Sequence, residues 1–135
     1  MDRLLTKTQC HEYIFRACTR TGTRLPKLKF KPSHLVPCTA NMRDWEITLA
    51  EWGHSAHAIL HETAHLATFD AVMRGENGHG PAFVRQAIEF YDEFMGIDPV
   101  HLLASAAKLG IDVGPPSGNA SSSSVTDSPF GDDVF

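Results

Sequence analysis

The sequence predicts an α+β fold with about four helices and a small β-sheet. Two patterns lead to this prediction. Residues 54–74 contain neither proline nor glycine, which suits a long helix, whereas residues 45–49 alternate apolar and polar side chains, as a half-buried strand does. With 135 residues, of which 42% are hydrophobic, the chain is long enough for one domain with a small core.

The first half of the chain is predicted to hold one helix and two strands. Thr6 or Thr8 is a suitable cap for the helix, and Gly22 stands just past its expected end. A strand is expected at 27–30, where lysines alternate with apolar residues, and a second at 45–49. A loop that contains prolines separates the two strands.

The second half is predicted to be helical. One helix covers 54–74 and ends at Gly75, a second covers 81–95, and a third covers 98–110. Proline stands at or near the start of the last two helices, Gly75 follows the first helix, and the last helix ends at Gly110. This placement is the usual one for the two residue types at helix ends.

The domain is predicted to span residues 1–113, followed by a tail over 114–135. Proline, glycine, serine and asparagine dominate the tail, so we expect it to be disordered. The N-terminus lacks the apolar core of a secretory signal, and no run of 18 apolar residues exists. The sequence therefore predicts a cytoplasmic protein with no membrane partner.

His61 and His65 are the residues that indicate a metal site. Positions i and i+4 of a helix lie on one face, so the two imidazoles can face one metal ion. Glu62 is adjacent to His61 and stays near that ion without having to bind it. A general base that takes a proton from water at a zinc ion needs this arrangement, which predicts a zinc hydrolase with Glu62 as its base.

A third ligand is needed, because catalytic zinc sites use three protein ligands and leave one position for water. The candidates are His79 and Glu89. Glycines on both sides of His79 would let its side chain turn towards the metal, and Zn²⁺ suits imidazole. Glu89 would lie roughly level with His65 if the next helix ran antiparallel, so it stays the alternative.

Two further side chains are candidates for contacts with substrate or with an oxyanion. His57 lies one turn before His61 and could be a fourth ligand or face substrate, although amphipathic spacing alone also explains it. Tyr91 could stabilise an oxyanion, although tyrosine rings more often pack in a core. We also expect an edge strand such as 45–49 to hold an extended substrate by strand addition.

The sequence HETAH over 61–65, followed by GHGPAF over 78–83, resembles the SprT-like (Spartan-type) zincins. The chain is also similar to small actinobacterial metallohydrolases with this motif. The resemblance covers roughly residues 45–95. It implies a zincin-like fold, in which a short sheet packs on the active-site helix, and the activity of a metalloprotease.

Carried over residue by residue, the resemblance implies three zinc ligands and one catalytic base, namely His61, His65, His79 and Glu62. Ala82 departs from the acidic residue that this element often carries. No zinc-ribbon cysteines follow the motif. The substrate class of the family, proteins held on DNA, is therefore not carried over.

Charge is spread unevenly along the chain. Residues 1–43 hold nine Lys and Arg and two acidic residues, whereas residues 44–113 hold three Lys and Arg and eleven acidic residues. Five basic residues stand close together in or near the first predicted strand: Arg20, Arg24, Lys27, Lys29 and Lys31. They could bind an anionic partner such as nucleic acid, or the lysines could protect an edge strand from aggregation.

The predicted function is zinc-dependent hydrolysis of a peptide or protein substrate. Two alternatives stay open. One is a catalytically silent metal-binding fold used in protein interaction, and the other is a nucleic-acid-binding module with a structural zinc. The three cysteines fit no zinc-binding spacing and are expected to be free thiols: Cys10, Cys18 and Cys38.

Overall fold

The computed structural model describes residues 5–31, 38–50 and 55–116, which form five helices and a three-stranded sheet. The chain divides between Phe69 and Asp70 into two compact units. Helices and a small sheet occur together, so the predicted α+β class is confirmed at this level. The zincin-like arrangement stays a prediction.

Helix α1 (Lys7–Thr21) begins and ends where its capping residues predict. The Thr6 hydroxyl accepts from the backbone N–H of Gln9 at 3.1 Å, and the Gln9 side chain accepts from the N–H of Thr6 at 3.0 Å. This reciprocal pair satisfies two backbone donors at the helix start. Gly22 ends the helix in the left-handed conformation, with φ 69°.

The sheet consists of β1 (Lys27–Lys31), β2 (Thr39–Asn41) and β3 (Glu46–Ala50). Strand β1 is parallel to β3, with Lys27 opposite Glu46, and β2 is antiparallel to β3. The sequence pattern predicts β1 and β3 but not β2, because three residues next to a proline-containing loop are too few to show an alternating pattern.

The expectation that residues 45–49 form an edge strand is wrong. Strand β3 lies in the centre of the sheet, paired with β1 on one side and with β2 on the other. Its backbone groups are already used in these two ladders, so it cannot add a substrate strand. Ile47 and Leu49 are fully buried, whereas Trp45, with φ 54°, belongs to the turn before the strand.

The core of the first unit forms where α1, β3 and helix α2 (Ala56–Ala67) bring their apolar faces together. Helix α2 packs against α1 and against strands β2 and β3. The buried cluster consists of Cys10, Ile14, Cys18, Ile47, Leu49, Ile59 and Leu66. A sheet packed on the motif-bearing helix is thus present.

The single helix predicted over 54–74 is interrupted at Thr68. Helix α2 ends there, and a short helix α3 covers Phe69–Met73. The Thr68 hydroxyl donates to the carbonyl oxygen of Ala64 at 2.8 Å, and its backbone N–H donates to the same oxygen at 3.1 Å. Side-chain bonds of this kind bend helices. The predicted start at His54 lies outside the described residues.

The second unit holds α4 (Pro81–Met95) and α5 (Pro99–Lys108), which pack against each other. Helix α4 has the predicted bounds, and α5 begins one residue after and ends two residues before its predicted range of 98–110. Gly96 ends α4 with φ 69°, and the Asp98 side chain caps α5. Gly75, with φ 98°, follows α3 as expected. None of the helices in the described residues combines the length and the apolar character that a membrane crossing requires.

Gly114, the first residue of the predicted tail, is buried against the start of α4. Its N–H donates to the carbonyl oxygen of Pro81 at 2.9 Å, and its own carbonyl oxygen accepts from Arg85 Nε at 2.8 Å. A Cβ atom at Gly114 would lie 2.9 Å from that Pro81 oxygen, so a side chain does not fit. Residues 117–135 lie outside the described residues, and their disorder stays a prediction.

We predict that alkylation at mildly alkaline pH distinguishes Cys38 from the other two cysteines. Desolvation by burial raises the pKa of the Cys10 and Cys18 thiols from 9.0 to about 11, so little reactive thiolate is present, whereas Cys38 is half-buried. Mass spectrometry after iodoacetamide treatment should show modification of Cys38 alone in the native protein and of all three in denaturant. Rapid native modification of Cys10 or Cys18 would contradict this burial.

Candidate metal centre

Helix α2 presents the first two candidate ligands, His61 and His65. The Ser55 hydroxyl caps the helix by accepting from the N–H of Ala58 at 3.1 Å. The two histidines lie one turn apart on the same helix face, with ring centroids 5.1 Å apart and rings inclined at 75°. Both residues are half-buried.

Glu62 follows His61 and is buried, with 8% of its surface exposed. Desolvation by burial raises the pKa of its carboxyl group from 4.5 to about 7, because the charged form loses its hydration. A cation held by the neighbouring histidines would lower this pKa again by charge attraction. Next to it, the buried Thr63 hydroxyl donates to the Ile59 carbonyl oxygen at 2.8 Å and is satisfied within the helix.

The third candidate, His79, lies in the turn before α4 and is exposed. Its backbone N–H donates to Asn77 Oδ1 at 3.0 Å, and the N–H of Gly80 donates to the Asn77 carbonyl oxygen at 2.8 Å. The imidazole meets the ring of Phe83 edge to face, with centroids 4.9 Å apart. Backbone and ring contacts thus hold His79 at the start of the helix.

The structure brings the three histidines together. One ligand atom from each of His61, His65 and His79 can be chosen so that all three lie within 4.8 Å of one another. Within residues 5–31, 38–50 and 55–116, this is the one group of His, Cys, Asp or Glu side chains that meets that criterion. The group does not include Glu89.

The donor set fits a zinc ion. Zinc binds imidazole nitrogen at about 2.0–2.1 Å, so nitrogens in a tetrahedral site are roughly 3.4 Å apart. The donor atoms of the three histidines lie within 4.8 Å of one another, which is close to this spacing. Imidazole also suits copper, iron and nickel, so the three histidines lie close enough to hold any of several metal ions, and the choice of zinc belongs to the proposal below.

The other two predicted contact residues differ in their surroundings. His57 is half-buried on α2, one turn before His61, with ring centroids 6.4 Å apart, and it is not a member of the group of three. Tyr91 is fully buried on α4. This burial favours the packing role over contact with an oxyanion.

The alternating basic face expected of the first strand is present. Leu28 and Phe30 are half-buried, whereas the three lysines of β1 are exposed on the opposite face: Lys27, Lys29 and Lys31. Lys29 Nζ lies 3.6 Å from Glu46 Oε2, an ion pair between an exposed lysine and a half-buried glutamate. Because β1 is an edge of the described sheet, its lysines are compatible with both predicted roles, protection of the edge and binding of an anion.

The glycines beside His79 act differently from what the sequence predicts. Neither Gly78 nor Gly80 has the positive φ at which glycine is favoured. A Cβ atom at Gly80 would lie 2.8 Å from Glu76 Cγ and 2.9 Å from the Asn77 carbonyl oxygen. A Cβ atom at Gly78 would meet nothing within 4 Å. Close packing therefore requires the glycine at 80 and not the one at 78.

Glu76 is a residue near the site that the sequence pattern did not predict. Its Oε1 accepts from the backbone N–H of Ala82 at 2.6 Å, across six residues of sequence. The usual cap pattern looks for an acceptor at the residue directly before the helix, which here is Gly80. A glutamate a few residues before a glycine-capped helix is the signal that was available.

Comparison with protein-family models, with curated proteins and with solved structures found no significant match. The likeness to SprT-like zincins is therefore a resemblance of sequence motifs, and what it implies about activity stays a proposal.

We predict that Gly80→Ala weakens metal binding and that Gly78→Ala does not. The new methyl group at 80 would meet the Asn77 backbone, which cannot yield as a flexible side chain does, so the turn that carries His79 must shift. Zinc affinity, measured by competition with a coloured chelator, should fall for Gly80→Ala alone. Equal affinities for the two variants would show that this turn tolerates the shift.

Proposed function

We propose that this chain is a zinc-dependent metallohydrolase whose substrate is a peptide bond. One observation carries the proposal: the donor atoms of His61, His65 and His79 lie within 4.8 Å of one another, and a buried glutamate follows the first of them in the helix. Three neutral donors and one carboxyl group make up the residue set that hydrolytic zinc sites use.

In this proposal His61, His65 and His79 would hold the ion, each through one ring nitrogen. Zinc held by the three histidines would lower the pKa of a nearby water towards about 7 and polarise a carbonyl group. Glu62 takes a proton from the attacking water and returns it to the leaving amine. Its burial keeps bulk water from competing for that proton.

The burial of Glu62 also supports the catalytic alternative over a silent metal site. Taking a carboxyl group out of water costs free energy, so a protein that only needs three ligands gains nothing from placing one there. A structural zinc site, in addition, usually closes all four positions with protein ligands, and the group in the described residues has three.

A second candidate function is nucleic-acid binding through β1. The observation in its favour is the row of three exposed lysines on one strand face. The ion pair between Lys29 and Glu46 reduces the free charge of this row. Binding to DNA that weakens steeply with salt and does not depend on the metal would favour this candidate over hydrolysis.

We predict that the purified protein binds one zinc ion per chain and that His79→Ala lowers zinc affinity as much as His61→Ala does. Both substitutions remove one of three donors, so the loss should be similar. Glu89→Ala is the matched comparison, since it removes the alternative third ligand. If Glu89→Ala loses zinc while His79→Ala keeps it, the third ligand is the glutamate.

We predict that Glu62→Gln retains zinc and fold but loses hydrolysis. Glutamine has nearly the same shape and cannot accept the proton, and removal of a general base costs about 10²–10⁴ in rate. Wild type and mutant are compared at equal zinc occupancy on a peptide that screening of a peptide library has identified. Glu93→Gln, an exposed change on α4, is the control and should keep the wild-type rate.

Equal rates for wild type and Glu62→Gln would show that Glu62 is not the base. Zinc binding in the absence of any cleavage across the library would favour the silent metal-binding alternative.

A further inference from the structure

The start of helix α4 lacks the usual cap. Its N-cap residue is Gly80, which has no side chain to accept a backbone N–H, and the first helical residue is Pro81, which has none to donate. The first free donor is therefore the N–H of Ala82. The Glu76 carboxylate accepts it at 2.6 Å and takes over the role of the missing cap.

Glu76 also forms a hydrogen bond at the other end of the loop. The backbone N–H of Glu76 donates to the Ala71 carbonyl oxygen in α3 at 3.0 Å. Glu76 is thus bonded through its backbone to the preceding helix and through its side chain to the following one. His79 lies midway in the loop that this residue closes, three positions from Glu76 and three from Ala82.

The steric fit of the loop depends on the same side chain. Glu76 Cγ lies 2.8 Å from the place that a Cβ atom at Gly80 would take. The glutamate can reach the helix start because residue 80 has no side chain. Inside the loop, the Asn77 side chain accepts from the N–H of His79 at 3.0 Å.

We propose that Glu76 is a positioning residue for His79: it closes the loop over 76–82 and so fixes the third ligand before the metal arrives. The proposal rests on the metal site proposed above. A histidine in an open loop would lose conformational freedom when it binds metal, and this entropy opposes binding. A loop that the protein has already closed avoids much of that cost, which raises affinity.

Three substitutions separate the reach of the side chain from its charge. Glu76→Gln keeps an oxygen at the same distance and removes the charge. Glu76→Asp keeps the charge but is one methylene shorter, so it cannot span the same gap. Glu76→Ala removes both. Asp92→Ala, which deletes an exposed carboxylate on α4, is the control for loss of charge alone.

The measurement is zinc affinity by chelator competition, with the visible spectrum of the cobalt-substituted protein as a report on ligand geometry. We expect Glu76→Ala and Glu76→Asp to weaken zinc binding by roughly tenfold to a hundredfold, as loss of a group that orients a ligand usually does. Glu76→Gln and Asp92→Ala should stay close to wild type. The cobalt spectrum should change in the Ala and Asp variants only.

A merely structural cap would give a different result. It would lower the Tm of apo and zinc-loaded protein by the same amount and leave zinc affinity and the cobalt spectrum unchanged, which overturns the proposal. Wild-type affinity in Glu76→Asp together with loss in Glu76→Gln would overturn it as well, since charge would then matter and reach would not. Should Glu76→Ala fail to fold, the Asp and Gln pair decides.

A wrong set of metal ligands and a wrong role for Glu76 give different results. If His79→Ala binds zinc as tightly as wild type, the proposed ligand set is wrong whatever Glu76 does. If His79→Ala loses affinity and neither Glu76→Ala nor Glu76→Asp does, the ligand set stands and the positioning role falls.

Discussion

Helix α2 has to contribute apolar side chains to the core and also present two candidate metal ligands. The core of the first unit and the candidate site both depend on which face of this helix each residue occupies. One side of the helix contributes Ile59 and Leu66 to the core formed with α1 and the sheet. Another side aligns His61 and His65 one turn apart. The helical repeat makes this division possible, since residues four apart share a face and the residues between them lie elsewhere on the helix surface. A rigid packed side is what keeps the two imidazoles aligned.

Local signals predicted most of the fold. The caps at Thr6, Gly22 and Asp98 mark the helix ends that the structure has, because each acts through bonds to residues two to four positions away. The features that the sequence did not predict depend either on contacts between residues distant in sequence or on a choice between two competing local interactions. The central place of β3 depends on β2, whose few residues become a strand only through pairing with β3. The break at Thr68 depends on a hydroxyl that can either face solvent or bond to the preceding turn.

The residues of the candidate site also fall into two groups, those that local spacing predicts and those that it does not. His61, Glu62 and His65 follow from helical spacing alone, whereas the choice between His79 and Glu89 depends on a loop whose path no periodicity describes. Glycines around His79 suggested unusual backbone angles. In the structure Gly80 serves instead to admit a neighbouring side chain, and such a contact is invisible without coordinates. Burial of Glu62 was likewise not apparent from its charge, since glutamate is ordinarily found at the surface.

The overlap between the Glu76 side chain and the vacant side-chain position at 80 has a consequence for how this chain can change over time. The two sites share one volume, so they are not free to vary independently. A shorter residue at 76 would remove one obstacle to a side chain at 80, and with it the need for glycine on that account, but the Asn77 carbonyl would still resist it. A side chain at 80 introduced first would push the carboxylate off Ala82. The order of substitutions at 76 and 80 therefore matters, and fewer combinations of residues at these two positions keep the loop closed.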